Sequence, residues 1–171
     1  LRSVFRLENI RGALITMPHK VTTVGLLDEA SVAVQVAGAC NAVRRDVRGR
    51  LVGDMFDGEG FVRGVCRKGF DPVGRRALVV GSGGVGSAIA ASLAQAGVSA
   101  LGLYDVNAAS AQGLGERLQQ HYPALEVRVG SNDPEGFDLV VNATPMGMNA
   151  GDPLPMDVSR IAPSALVGEV V

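Results

Sequence analysis

The chain has 171 residues, 47% of them hydrophobic and 19% charged, with a formal net charge of −1. That suits one large folded domain or parts of two, and the charge balance gives no general attraction to nucleic acid or to an anionic membrane surface. Cys40 and Cys66 are too few for a disulfide scaffold and fit a reducing cytoplasm. With His19 and His121 they form no metal-ligand spacing, so no metal is expected. No apolar run reaches membrane-spanning length, and no signal peptide is expected.

Taken in order, residues 11–16 read as a buried strand, and Pro18 suits the first turn of a helix. The spacing predicts that helix to about Glu29, with Val21, Val24 and either Leu26 or Leu27 facing inward. Residues 31–37 read as a second short helix, broken by Gly38. Residues 42–45 and 50–53 flank Asp46-Val47-Arg48-Gly49 and predict a hairpin. Residues 54–60 read as a loop or helix entrance. Residues 60–68 read as a connecting helix that buries Phe61 and Val65, with Val62 beside them. Gly69-Phe70-Asp71-Pro72 marks a boundary, so residues 1–68 are expected as one domain and residues 69–171 as another.

Beyond the boundary, Ala77-Leu78-Val79-Val80 is a short apolar strand. It runs into Gly81-Ser82-Gly83-Gly84-Val85-Gly86, which has the form G-x-G-x-x-G. A small-residue helix follows, with Val85, Ile89 and Leu93 on one face, closed at Gly97. Gly81 permits the tight turn, Gly83 lets the backbone approach a pyrophosphate, and Gly86 lets the helix pack closely on the strand. The helix N-terminus presents free N–H groups to phosphate. A glycine-rich turn of purely structural use is the alternative. Residues 98–104 form the next strand, ending at Asp105, near the spacing of about 20 residues for the acid that binds the adenine ribose. A carboxylate there accepts from both ribose hydroxyls and repels a 2′-phosphate, and Val106 and Asn107 supply no arginine. This favours NAD, with NADP left open.

Residues 108–122 predict a helix with Ala111, Leu114 and Leu118 inward. Residues 125–129, 137–141 and 166–171 predict the third, fourth and fifth strands. Apolar strands alternating with helices imply a parallel sheet covered on both faces. Ligands bind at the carboxyl ends of such strands, where the Gly81 loop, Asp105 and the Asn142 loop all lie. The expected fold class is therefore α/β, a Rossmann-like parallel-sheet domain preceded by a smaller α/β substrate domain. The chain opens on Leu1 and stops inside an apolar run, so both domains are expected to be incomplete.

Four segments together resemble the shikimate/quinate dehydrogenase family. Gly12-Ala13-Leu14-Ile15-Thr16-Met17-Pro18-His19-Lys20 is similar to G-x-N-V-T-I-P-H-K. Gly38-Ala39-Cys40-Asn41-Ala42-Val43 is similar to G-A-x-N-T-x. Gly53-Asp54-Met55-Phe56-Asp57-Gly58-Glu59-Gly60-Phe61 is similar to G-x-N-T-D-G-x-G-F, and Asn142-Ala143-Thr144-Pro145-Met146-Gly147-Met148 to N-A-T-P-x-G-M. The resemblance implies reversible hydride transfer between NAD or NADP and a ring hydroxyl of shikimate, quinate or a related hydroaromatic acid, as in aromatic amino acid biosynthesis. It implies Lys20 and Asp57 as the catalytic pair, also touching substrate, and Thr16 and Asn41 as binders of substrate hydroxyls. Asn142, Thr144 and Met146 would lie beside a dinucleotide held by Gly81, Ser82, Gly83, Gly84, Val85, Gly86 and Asp105. The expected partner is a small-molecule acid, with no nucleic acid and no membrane, and a homodimer is left open.

Alcohol oxidation needs a hydride acceptor and a base for the hydroxyl proton. A free lysine is a poor base near neutrality. Burial would loosen its proton and a nearby ionised Asp would tighten it, so the proton belongs to the pair rather than to one residue. His19 is expected to be structural, because on a helix start its side chain points away from that of Lys20. Cys40 has no histidine placed to activate it. The sequence also departs from the family pattern. Leu14 stands for its Asn, Met55-Phe56 for its Asn-Thr, and Ala42 for a Thr. These changes remove polar groups in or near the expected cleft and predict weaker recognition of a polyhydroxy ring, or another substrate. The pattern's serine pair would precede Leu1, and its C-terminal glutamine would follow Val171. The same features also fit a non-catalytic nucleotide-binding module and, more loosely, a methyltransferase.

Overall fold

The structure, a computed structural model, describes residues 1–170, so Val171, the last residue of the predicted fifth strand, lies outside the described residues. The first third of the chain builds a mixed four-stranded sheet from β1 (Gly12–Leu14), β2 (Glu29–Ala30), β3 (Ala42–Arg45) and β4 (Leu51–Asp54), in the order β1-β3-β4-β2. β3 runs antiparallel to both β1 and β4, and β2 runs parallel to β4. The predicted hairpin joins β3 to β4. Its turn is held by Asp46 Oδ1, which accepts the N–H groups of Arg48 and Arg50, as Asp side chains do when they imitate a backbone turn. One face of this sheet packs Val43 and Leu51 against Val34 and Ala37 of α2 (Val32–Ala37), together with Phe5 and Met55. The Ser31 hydroxyl caps α2 by accepting the N–H of Val34.

Two expectations fail in this region. α1 spans only Lys20–Val24 instead of reaching Glu29. Gly25 follows it, and the next residues are drawn to the sheet instead: Asp28 Oδ2 accepts the N–H of Leu51, and Glu29–Ala30 pairs with Val52 and Gly53. Val21 is consequently 58% exposed, while Leu27 packs down on Gly53, where no Cβ could fit beneath it. β1 is also shorter than the strand expected over residues 11–16. It lies at the sheet edge and is not buried, its terminal Leu14 being 89% exposed.

The rest of the chain forms an all-parallel sheet of β5 (Arg76–Val80), β6 (Ala100–Tyr104), β7 (Glu126–Val129), β8 (Leu139–Asn142) and β9 (Leu166–Glu169), in the order β7-β6-β5-β8-β9. The α/β class is therefore as expected. Leu125 is buried just ahead of β7 rather than inside it, and β8 runs slightly later than residues 137–141. α4 (Gly84–Gln95) crosses between β5 and β6, and α5 (Ala108–His121) between β6 and β7. Ala111, Leu114 and Leu118 face the core as predicted. α3 (Asp57–Arg67) begins three residues earlier than expected and buries Val65, with Phe61 and Val62 partly buried. It meets α4 backbone to backbone, because a Cβ on Gly58 would run into the Ala88 carbonyl.

Strand order reverses between β5 and β8. In an open α/β sheet the crevice outside the carboxyl ends at such a reversal is where ligands bind. Among the described residues, no helix is long and apolar enough to cross a membrane.

Candidate active site

Lys20 is the first residue of α1 and Asp57 the first of α3, while Asn41 lies in the turn just before β3. The fold brings these three together. Lys20 Nζ lies 2.5 Å from Asp57 Oδ2, and Asn41 Nδ2 donates to Asp57 Oδ1 at 2.6 Å. Asn41 is itself fixed, because its Oδ1 accepts the N–H of Phe56 at 3.0 Å and its carbonyl accepts the N–H of Ile15 at 2.7 Å. One step further out, the Ser31 hydroxyl donates to Asp54 Oδ1 at 2.7 Å, and the Asp54 carbonyl accepts the N–H of Asn41. The Asp57 carboxylate also sits at a helix N-terminus, where the dipole favours negative charge. The side chains of Lys20 and Asp57 are 16% and 28% exposed, so a solute can reach the pair although most of its surface is out of water.

Thr16 precedes this turn, with its carbonyl accepting the N–H of His19 at 3.0 Å. It is exposed, and its hydroxyl has no partner among the described residues. The His19 carbonyl accepts both the Thr22 and Thr23 hydroxyls. Cys40 is buried and donates to the Ala42 carbonyl; burial pushes its thiol up, so the sulfur stays protonated and unreactive.

The glycine loop lies against the pair. A Cβ on Gly84 would meet Lys20 Cδ at 3.6 Å, so the lysine stem rests on the start of α4. Gly81 takes a φ of 102°, and a Cβ there would lie 2.6 Å from the Ala143 carbonyl. A Cβ on Gly86 would collide with the Gly81 carbonyl. Gly83 differs, since a Cβ there would meet nothing within 4 Å. Two glycines thus close the loop on itself and on the Asn142 loop, while the third borders open space at the N-terminus of α4. The buried Ser82 hydroxyl has no hydrogen-bond partner among the described residues. An open cradle, first-turn N–H groups without intrahelical partners and an unsatisfied hydroxyl fit a dinucleotide's phosphates.

Asp105 ties this cradle to β6. Its Oδ2 accepts the N–H of Ser82 at 2.7 Å and its Oδ1 the N–H of Asn107 at 2.8 Å. Each carboxylate oxygen keeps capacity for a further donor. The Asn142 loop is braced from within. Asn142 Oδ1 accepts from the N–H and hydroxyl of Thr144, and Thr144 Oγ1 accepts the N–H of Met146. Asn142 Nδ2 donates to the Met146 carbonyl and to Glu169. Asn142 and Thr144 therefore shape the loop, and Met146 is half-buried, as are Ala143 and Thr144.

The structure separates three residues that the sequence placed at the cleft. Met55 is 3% exposed inside the first core, so it fills space there and does not line the cleft. Leu14 and Phe56 are not buried with it but exposed, Phe56 at 51%. Sequence reasoning passed over Ser31 and Glu169, which brace the site from distant segments. Nothing local marks Glu169; it reaches Asn142 because the two residues are register partners across β8 and β9.

The family model described as the shikimate dehydrogenase substrate binding domain matches residues 1–43. Shikimate dehydrogenase (NADP(+)) of Rubrobacter xylanophilus is 39% identical over 169 residues, which cover 97% of this chain and 60% of the relative. Over nearly its whole length the chain is similar to the shikimate/quinate dehydrogenases. Solved members of that family agree with it in fold. Shikimate 5-dehydrogenase from Listeria monocytogenes, in complex with shikimate and NAD, matches at a TM-score of 0.87 and 28% identity, over 99% of this chain and 62% of the other. Quinate dehydrogenase from Corynebacterium glutamicum, in complex with NAD, matches at 0.83 and 32% identity, over 100% of this chain and 64% of the other. The chain thus spans about three-fifths of the length of these shikimate/quinate dehydrogenases.

Proposed function

We propose that the chain carries the reacting pair, part of the substrate pocket and the nucleotide cradle of a nicotinamide-dependent dehydrogenase that interconverts a ring alcohol and its ketone in shikimate, quinate or a related hydroaromatic acid. The observation that carries this reading is the 2.5 Å Lys20–Asp57 pair, with the lysine stem resting on Gly84 of the glycine loop. A non-catalytic nucleotide module has no need of such a pair beside its cradle. Residues 1–68 would form the substrate domain, and the cofactor domain would follow from residue 69.

When bound, the nicotinamide supplies the hydride acceptor for the alcohol or the donor for the ketone. The proton is handled by the chain's own residues. In the reducing direction the Lys20 ammonium donates to the carbonyl oxygen as negative charge develops there, and Asp57 balances the charge of the lysine. In the oxidising direction the pair accepts the hydroxyl proton, as one unit. Asn41 and the N-terminus of α3 keep Asp57 in place. Thr16 and the remaining amide hydrogen of Asn41 bind substrate hydroxyls. The backbone of residues 81–86 and the Ser82 hydroxyl would hold the pyrophosphate, and Asn142, Thr144 and Met146 of the neighbouring loop would border the rest of the dinucleotide.

Asp105 favours NAD over NADP, since a carboxylate at the end of β6, followed by exposed Val106 and Asn107, repels a 2′-phosphate. Both cofactors occur among the relatives, NADP in the name of the Rubrobacter enzyme and NAD in both solved structures. The test is reduced-nicotinamide absorbance in the full-length protein with shikimate, quinate and related ring acids, using NAD and NADP in parallel. The expected result is turnover of a hydroaromatic alcohol with a higher kcat/KM on NAD. No turnover of any ring alcohol with either cofactor would contradict the assignment.

A further inference from the structure

Two large apolar side chains stand in water on the segments that lead into Lys20 and Asp57. Leu14 and Phe56 both line a groove of about 460 Å³ on the outer face of the first sheet. Their positions are set by the same backbone that builds the site. Leu14 is the register partner of Ala42, and Ala42 of Asp54, so the three form one row across β1, β3 and β4 on a single face. Ile15, the next residue after Leu14, donates its N–H to the Asn41 carbonyl. Phe56 immediately precedes Asp57, and its N–H is held by the Asn41 amide that also holds the Asp57 carboxylate. The one charged group in the row has its Oδ1 taken up by Ser31 and by the N–H of Met55. Next to a site that handles an alcohol proton, this rim therefore presents a leucyl and a phenyl side chain, which offer a substrate no hydrogen bond.

We propose that Leu14 and Phe56 form an apolar wall of the substrate pocket, selecting ring alcohols whose carbons next to the reacting centre present a hydrocarbon face over rings hydroxylated there. This rests on the dehydrogenase reading above and names the substrate class of that same site. A ring hydroxyl pressed on this wall loses its bonds to water and gains none, whereas a hydrocarbon face removes exposed apolar surface on both sides.

The test compares shikimate with 3-hydroxycyclohexane-1-carboxylate, which carries a single ring hydroxyl. Kd for both is read by calorimetry on the full-length protein and on Leu14→Asn, Phe56→Thr and the double variant; kcat/KM for both is read alongside. The wall predicts that the wild type favours the mono-hydroxy ring. It also predicts that each variant shifts the ratio about tenfold toward shikimate, in Kd as well as in kcat/KM, with Tm unchanged because neither side chain is buried. Unchanged ratios in all three variants would overturn it. So would a fall in Tm with unchanged ratios, which would mean that another part of the protein covers the wall. Absence of turnover for both alcohols, with the Kd ratio still shifting, would remove the dehydrogenase reading and leave the wall standing.

Discussion

Asp57 is held by three independent features: an ammonium on one oxygen, an amide on the other and a helix N-terminus behind. Removing them has separable consequences. Lys20→Ala and Asp57→Asn are each expected to lower kcat by about 10²–10⁴-fold, the range lost with a positioned acid or base. Asn41→Ala leaves the pair present but unbraced, so a smaller loss in kcat is expected. Steady-state kinetics on the three variants checks the order. At Asp105 the choice of replacement matters, because its carboxylate also anchors the glycine loop through the N–H of Ser82. Asp105→Asn keeps an acceptor and removes the charge, and is expected to raise the NADP/NAD ratio of kcat/KM. Asp105→Ala is expected to weaken binding of both cofactors as well. A ratio unchanged in Asp105→Asn would remove this residue from cofactor choice. Lys20, Asn41, Asp57 and Asp105 were legible in the sequence because each sits inside a short local pattern. Ser31 and Glu169 were not, because each acts on a partner brought near only by strand pairing.

At the scale of elements, the parallel sheet was legible and the end of α1 was not. Val21, Val24 and Leu27 are spaced as a helix face, yet Leu27 reaches the core from a turn after Gly25. β2 is two residues long and exists only because Val52 and Gly53 pair with it, so it leaves no periodic signal. The packing of α3 on α4 rests on Gly58. Gly58→Ala is expected to lower stability by about 1–3 kcal/mol, the usual cost of overpacking, and chemical denaturation measures it. The β3–β4 turn is sensitive to acid. The N–H of Arg50, the Arg50 guanidinium and the N–H of Arg48 hold the Asp46 carboxyl below the usual carboxylate range. A depressed carboxylate contributes stability above its unfolded-state value and loses it as pH falls through the folded one. The amide resonances of Arg48 and Arg50 are therefore expected to shift only below the ordinary carboxylate range. A shift at ordinary carboxylate pH would show that Asp46 does not hold the turn.

Across the whole molecule, the two sheets meet through helices rather than through strands. α4 contacts both α2 and α3. Arg117 of α5 adds a further link by donating to the Val36 carbonyl at the C-terminal end of α2, where a cation is favoured. Burial lowers the proton affinity of this guanidinium without threatening its charge. Lys20 consequently comes to rest on Gly84, and the site lies where the pair of the first sheet faces the strand reversal of the second. The measurement that tests this most directly is turnover of a ring alcohol by the full-length protein and by Lys20→Ala, with NAD affinity measured on both. The expected result is a loss in kcat of at least about 10²-fold with NAD affinity retained. Equal turnover by the two proteins would contradict the account.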